Sequence, residues 1–108
     1  MATNCVLVWT TVSAETDGQA LAATLVEERL AACVNVLAEM DSVYRWKGNV
    51  EHDRERQLII KTTVDRVPAL GVRLRALHSY ELPEFVVIPV IDASEDYLGW
   101  VGESTKIP

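Results

Sequence analysis

The apolar positions of this chain alternate between runs with a period of two and stripes with a period of three to four, the signatures of strand and helix. Cys5 to Thr11 is a near-continuous β-rich run, the pattern of a central strand. From about Thr16 to Leu30, Leu21, Ala22, Leu25 and Val26 form an i, i+4 stripe while Asp17, Gln19, Glu27 and Glu28 fall on the wet side, which predicts a helix. Ala31 to Val36 returns as a short strand, its two leading alanines allowing a close neighbour. Two longer strands, about Ser42 to Trp46 and about Val50 to Thr62, then flank Gly48. In the second of them Val50, His52, Arg54, Arg56, Leu58 and Ile60 share one parity, so its first half is polar and only its second half enters a core. The hairpin is therefore expected to outgrow the domain.

Val67, Leu70, Leu74 and Leu77 mark a second helix, with Pro68 near its start, where a missing N–H costs nothing. Phe85 to Ile91 reads as another buried strand, with Pro89 marking an edge or a bulge. Ser94 followed by Glu95 and Asp96 opens a short last helix to about Trp100, after which Gly102 and Pro108 mark a loose tail. The order is β-α-β-β-α-β plus a terminal helix: an α+β, ferredoxin-like split β-α-β domain spanning residues 1–108. Right-handed crossovers place both long helices on one face of an antiparallel sheet. The other face needs a cover; three sheets packed edge to edge with extended hairpins supply one, and a dimer also fits the pattern.

Within that frame Tyr44-Arg45-Trp46-Lys47-Gly48 stands out. Tyr44 and Trp46, two residues apart on a strand, project from one face at the hairpin end, where the domain has little core to cover them. Either they cap their own sheet, or a second copy of the chain covers them, so that any ligand cleft is built jointly by subunits.

Composition narrows the partners. Sixteen acidic residues against ten basic ones leave a net charge of -6, and no Lys/Arg stripe forms. That opposes nucleic acid and anionic membrane as partners and favours cations. No apolar stretch approaches a membrane span and no basic segment precedes an apolar one at Met1, so a cytoplasmic protein is expected, with Cys5 and Cys33 as free thiols.

Phosphate-binding glycine loops, Cys-x-x-Cys pairs, His-Glu-x-x-His helices and Gly-x-Ser-x-Gly elbows are all missing, which lowers the case for most enzymes. The polar cluster His78-Ser79-Tyr80-Glu81-Leu82-Pro83-Glu84 lies in a loop, where functional groups are displayed. His78 reads as a cap at a helix C-terminus or as a metal ligand. Glu81 and Glu84 read as solvated charges, as oxygen ligands or as an acid and base; Cys33 reads as a buried inert thiol or as a soft-metal ligand. His52, on the polar arm, reads as a surface residue or a rim contact to another subunit.

Taken together, Leu30-Ala31-Ala32-Cys33-Val34-Asn35, Tyr44-Arg45-Trp46-Lys47-Gly48, Ile60-Lys61-Thr62, His78-Ser79-Tyr80-Glu81-Leu82-Pro83-Glu84 and Tyr97-Leu98-Gly99-Trp100 closely resemble the CutA divalent-cation tolerance family, in order and over nearly the whole chain. The resemblance implies a ferredoxin-like homotrimer similar in architecture to the PII signalling proteins, with hairpin arms gripping neighbouring subunits, and a link to copper and other divalent ions. Family members usually read His-Pro-Tyr-Glu where this chain has His78-Ser79-Tyr80-Glu81. Some members proposed to bind copper carry a cysteine on the first strand and a double histidine before the tyrosine; the matching positions here are Trp9 and Leu77, leaving His78 of that set.

The resulting expectation is a non-catalytic trimeric protein that responds to, or weakly binds, copper or another divalent cation, with no obligatory cofactor. His78 and Cys33 are its candidate ligands, and Tyr44, Trp46, Lys47, Tyr80 and Glu81 its cleft or intersubunit residues. A PII-like sensor or scaffold taking a small metabolite or a partner protein is the second expectation. An enzyme using Glu81 with Tyr80 or His78 is the third.

Overall fold

The computed structural model describes residues 3–107, arranged as one five-stranded sheet and three α-helices. Strand β1 spans Cys5–Ser13 and the first helix, α1, Gly18–Glu27. The helix is shorter than its apolar stripe suggests, because both ends are fixed by local bonds. The Asp17 carboxylate accepts the Ala20 N–H at 3.0 Å as an N-cap. At the other end Arg29 turns left-handed with φ 59°, and the Leu30 N–H returns to the Leu25 carbonyl, so that Leu30 drops into the core instead of continuing the helix.

β2 (Cys33–Val36), β3 (Met40–Trp46) and β4 (Asn49–Thr63) follow, then a 3₁₀ turn at Val64–Arg66 and α2 (Val67–Leu77). β5 is confined to Val86–Pro89, shorter than the apolar run around it, and α3 (Glu95–Ser104) runs past the expected end at Trp100 and through Gly102. Pro108, the other residue of the expected tail, lies outside the described residues. Ser94 caps α3 by accepting the Tyr97 N–H at 3.3 Å. Among the described residues no helix is long and apolar enough to cross a membrane.

The sheet order is β2-β4-β1-β5, all antiparallel, with β3 continuing along β4. The expected element order and the antiparallel sheet are therefore present. Even-numbered residues of β1 and β4 (Val6, Val8, Val12, Leu58, Ile60) meet Leu21, Leu25, Leu70 and Leu74 of the two long helices, which form the main core on one face. Burying each fully enclosed leucine or isoleucine contributes about 1.5–3 kcal/mol. On the other face α3 covers only one end, through Cys5, Ala32 and Val101 with Val90 and Leu98 alongside.

β4 is 15 residues long and gives the molecule its 44 Å axis. Its second half lies between β1 and β2, whereas its first half pairs with β3 in an arm that leaves the domain.

Candidate functional site

The arm closes on the pair Trp46 and Asn49, with Lys47 at φ 50° and Gly48 at φ 85° between them. Two positive φ values make this a type I′ hairpin turn, which glycine adopts freely and lysine only at a cost. Val36 faces Leu58 and Met40 faces Glu55, so residues 37–39 on one side oppose only 56 and 57 on the other. This bulge shifts the parity of β3 by one. Ser42, Tyr44 and Trp46 consequently share a face with Asp53 and Glu55, whereas without it Val43 and Arg45 would stand there.

The facing wall is the loop after α2. β5 pairs only with Val6 to Trp9, which leaves the edge of β1 open beyond that point. His78 closes it: Nε2 bonds the Thr11 carbonyl at 2.7 Å while Nδ1 accepts the Tyr80 N–H at 3.1 Å. Because Nδ1 accepts, the ring proton belongs on Nε2, which donates to the carbonyl. The backbone N–H of His78 also caps α2 through the Leu74 carbonyl at 2.8 Å. Tyr80, its ring tilted against His78 with centroids 4.7 Å apart, reaches across and donates its hydroxyl to Glu55 Oε2 at 2.6 Å. Burial, reinforced by the bond to Glu55, pushes the Tyr80 hydroxyl well above its ordinary value. Tyr44 donates to Asp53, and that bond, with the surrounding carboxylates, raises it to about 12.

Between arm and loop lies a cleft of about 770 Å³, with Tyr44, Trp46, Glu55, Tyr80, Glu81 and Glu84 on its lining. Lys47 ties the two walls together at the rim, 3.4 Å from Glu81 and over the Trp46 ring at 5.5 Å. Gln57 Nε2 holds Glu84 at 3.0 Å from below. Tyr44, Trp46, Lys47, Tyr80 and Glu81 are thus brought together within a single chain.

The two candidate metal ligands are not brought together. Cys33 faces Lys61, which faces Leu7, so it lies two strands across and four residues along from the Thr11 that His78 touches. With strands about 4.8 Å apart and a rise of about 3.4 Å per residue, Cys33 is about 17 Å from Thr11. Both His78 ring nitrogens are already engaged, and among the described residues no group of three or more His, Cys, Asp or Glu side chains converges as a metal site. Cys5 and Cys33 are free thiols, and burial raises the thiol pKa of Cys5.

Glu55 was missed by sequence reasoning, since a glutamate in an alternating acid–base run reads as a solvated charge. Its parity with Gln57 and Ile59 was the available signal, but its neighbours depend on the bulge.

A family model described as CutA1 divalent ion tolerance protein matches residues 6–104. The chain belongs to the CutA1 divalent ion tolerance family. It is 45% identical over 95 residues to the divalent-cation tolerance protein CutA of Thermus thermophilus, a match spanning 88% of this chain and 92% of that one. The chloroplastic protein CutA of Arabidopsis thaliana is 40% identical over 101 residues, 94% of this chain but 56% of the longer relative. Among solved CutA structures, that of Xylella fastidiosa superimposes with a TM-score of 0.92 at 38% identity, covering 96% of this chain and all of the other. A periplasmic divalent cation tolerance protein CutA of Archaeoglobus fulgidus does so at 0.89 with 27% identity, over 94% and 99% of the two chains. The CutA1 fold is thus shared across relatives whose names place them in different compartments.

Proposed function

We propose that this CutA1 family member acts in divalent-cation tolerance as a non-catalytic cytoplasmic homotrimer that binds copper or another divalent ion weakly. The observation that carries the reading is the family match over residues 6–104, supported by the names of the relatives and by a net charge of -6. The trimer is supported by the arm, which holds Val43 and Val50 62% and 57% exposed beyond the domain and has no core of its own to bury them. His78 and Cys33 remain the proposed ligands. With Cys33 about 17 Å by strand geometry from the Thr11 that His78 holds, the two act together only across subunits. Ligation at His78 displaces a hydrogen bond worth about 1 kcal/mol, which keeps the affinity low.

Light scattering on the purified protein is expected to give about 36 kDa, three times the 12.0 kDa chain. Copper titration should be saturable and weakened in Cys33→Ala and His78→Ala; unchanged binding in both variants removes these ligands.

The cleft favours a second reading. Its volume falls in the range of small-molecule sites, and its mixture of rings and convergent polar groups suits a PII-like sensor or scaffold taking a small ligand. A metabolite screen by thermal shift tests it: saturating ligand at about 100 times its Kd adds about 2.7 kcal/mol of stability.

A further inference from the structure

Among the described residues, Glu55 is the one acidic or basic side chain that is buried, at 7% exposure. Its Oε2 accepts the Tyr80 hydroxyl, while Oε1 accepts no hydrogen bond among the described residues. The ion pairs of the arm and loop run between other partners: Arg54 with Glu39 and Asp41, Arg56 with Glu39, and Lys47 with Glu81. None reaches Glu55. Oε1 is not among the fully enclosed side-chain oxygens, so it faces the solvent of the cleft, where a cation can form a charge-assisted bond with it. Glu55 borders the cleft, so a cation entering it meets Oε1.

The surroundings define its chemistry. Tyr44, Trp46 and Tyr80 line the same cleft, and aromatic faces attract organic cations. Glu81 and Glu84 add two further carboxylates, so three face two cations: the Lys47 ammonium at the rim, paired with Glu81, and the Arg45 guanidinium, whose Nη1 is directed to the Gly48 carbonyl at 3.5 Å. Anions are disfavoured by that balance. A bare metal ion is disfavoured because no three ligating side chains converge among the described residues. A flat or elongated cation with apolar carbons beside its charge satisfies both the rings and the carboxylate.

We propose that this cleft is a binding site for a small organic cation, an aliphatic amine or guanidine, whose charged group pairs with Glu55 Oε1 while its carbon chain lies against Tyr44 and Trp46. The inference rests on the small-molecule reading of the cleft and names the ligand class.

Isothermal titration of the full chain with putrescine and agmatine, alongside uncharged butanediol, the dianion succinate and copper alone, tests it. Saturable binding of at least one of the two amines is expected, with no binding of butanediol or succinate. Glu55→Gln should weaken that binding at least tenfold, the loss expected when a charge-assisted bond is removed. Trp46→Ala, which leaves the carboxylate in place and covers the case of a poorly folded Glu55→Gln, should weaken it about fivefold through the lost cation–π contact. Amine binding equal in wild type and both variants overturns the proposal, as does copper binding that alone depends on Glu55. Succinate or butanediol binding without amine binding overturns the ligand class and leaves a small-molecule cleft standing. If nothing binds, the class and the cleft reading fall together.

Discussion

The two halves of β4 have the same backbone geometry and opposite fates. From Leu58 to Lys61 the strand is paired on both edges and its even positions are fully enclosed, whereas from Asn49 to Arg54 it has one partner, β3, and stands exposed. The first region is held by apolar burial and belongs to the scaffold. The second is held by a turn, a few ion pairs and the loop that leans on it through Tyr80 and Lys47. Stability and reach are thus allotted to different stretches of a single strand. The cleft forms where they meet, at Glu55, because only there do arm, sheet and loop come close.

The largest effect expected from that division is in the core half. Leu58→Ala should cost about 2–5 kcal/mol through lost transfer energy and an unfilled cavity, read as a drop in the denaturant midpoint. Val50→Ala, eight residues earlier on the same strand and 57% exposed, should lie within about 0.5 kcal/mol for the isolated chain. Equal losses at the two sites break the comparison.

In the arm the sensitive position is the turn. Gly48 has φ 85°, and no atom crowds a Cβ added there, so Gly48→Ala meets backbone strain and not a clash. The strain is expected to cost about 1–2 kcal/mol of local arm stability. Hydrogen exchange should accelerate for amides between Tyr44 and Glu51 while those of Val8 and Ile60 keep their protection. Acceleration in the core as well means that arm and domain unfold together.

The same division explains how far the sequence could be read. Order and type of every strand and α-helix were visible in periodicity, because Leu21, Leu25, Leu70 and Leu74 repeat at helical spacing and the strand runs are long; the 3₁₀ turn at Val64–Arg66 was not. Boundaries were less visible where a bond decides them: Arg29 ends α1 in a left-handed turn without a glycine to announce it, and Gly102 lies inside α3 despite its propensity. In the site, Tyr44 and Trp46 were legible from their i, i+2 spacing. Glu55 was not, since its burial depends on a bulge at residues 37–39 and on a tyrosine hydroxyl 25 residues away. The role of His78 was half legible. Capping follows from its place after α2, but the bond to Thr11 spans 67 residues and has no local signature.

Within the core half, two buried threonines on one face offer a finer test. Thr62 donates its hydroxyl to the Leu30 carbonyl at 2.7 Å, whereas the Thr10 hydroxyl is buried with no partner among the described residues. Replacing each by the similarly shaped valine should therefore give opposite signs. Thr62→Val is expected to lose about 1 kcal/mol and Thr10→Val to gain up to about 1 kcal/mol, both by denaturant melts. Losses of equal size point to a bound water completing Thr10 in the recess beside Gly71, Leu74 and Phe85.

The smallest expected effect is a pH response that separates arm from core. Tyr44 in the arm is raised to about 12 by its bond to Asp53, and Tyr80 at the cleft is raised by burial and then by its bond to Glu55. Raised values mean that the folded state favours the neutral hydroxyl. The stabilisation is therefore complete below about 10, the ordinary tyrosine value, and is lost as the pH climbs from there through the folded value. Cys5, raised by burial in the α3 cluster, acts in the same direction but from a lower onset, near the ordinary thiol value of about 8.5. An alkaline titration followed by tyrosinate absorbance and by melting temperature should thus show a first loss that Cys5→Ala removes. A second loss, above about pH 10, should disappear in a Tyr44→Phe, Tyr80→Phe double variant. Because Tyr44 is solvent-reachable, its share is the weaker and should fade further in high salt. If Tyr44 and Tyr80 ionise near 10 in the folded protein, the bonds that join arm to loop are absent, and the cleft loses the wall that defines it.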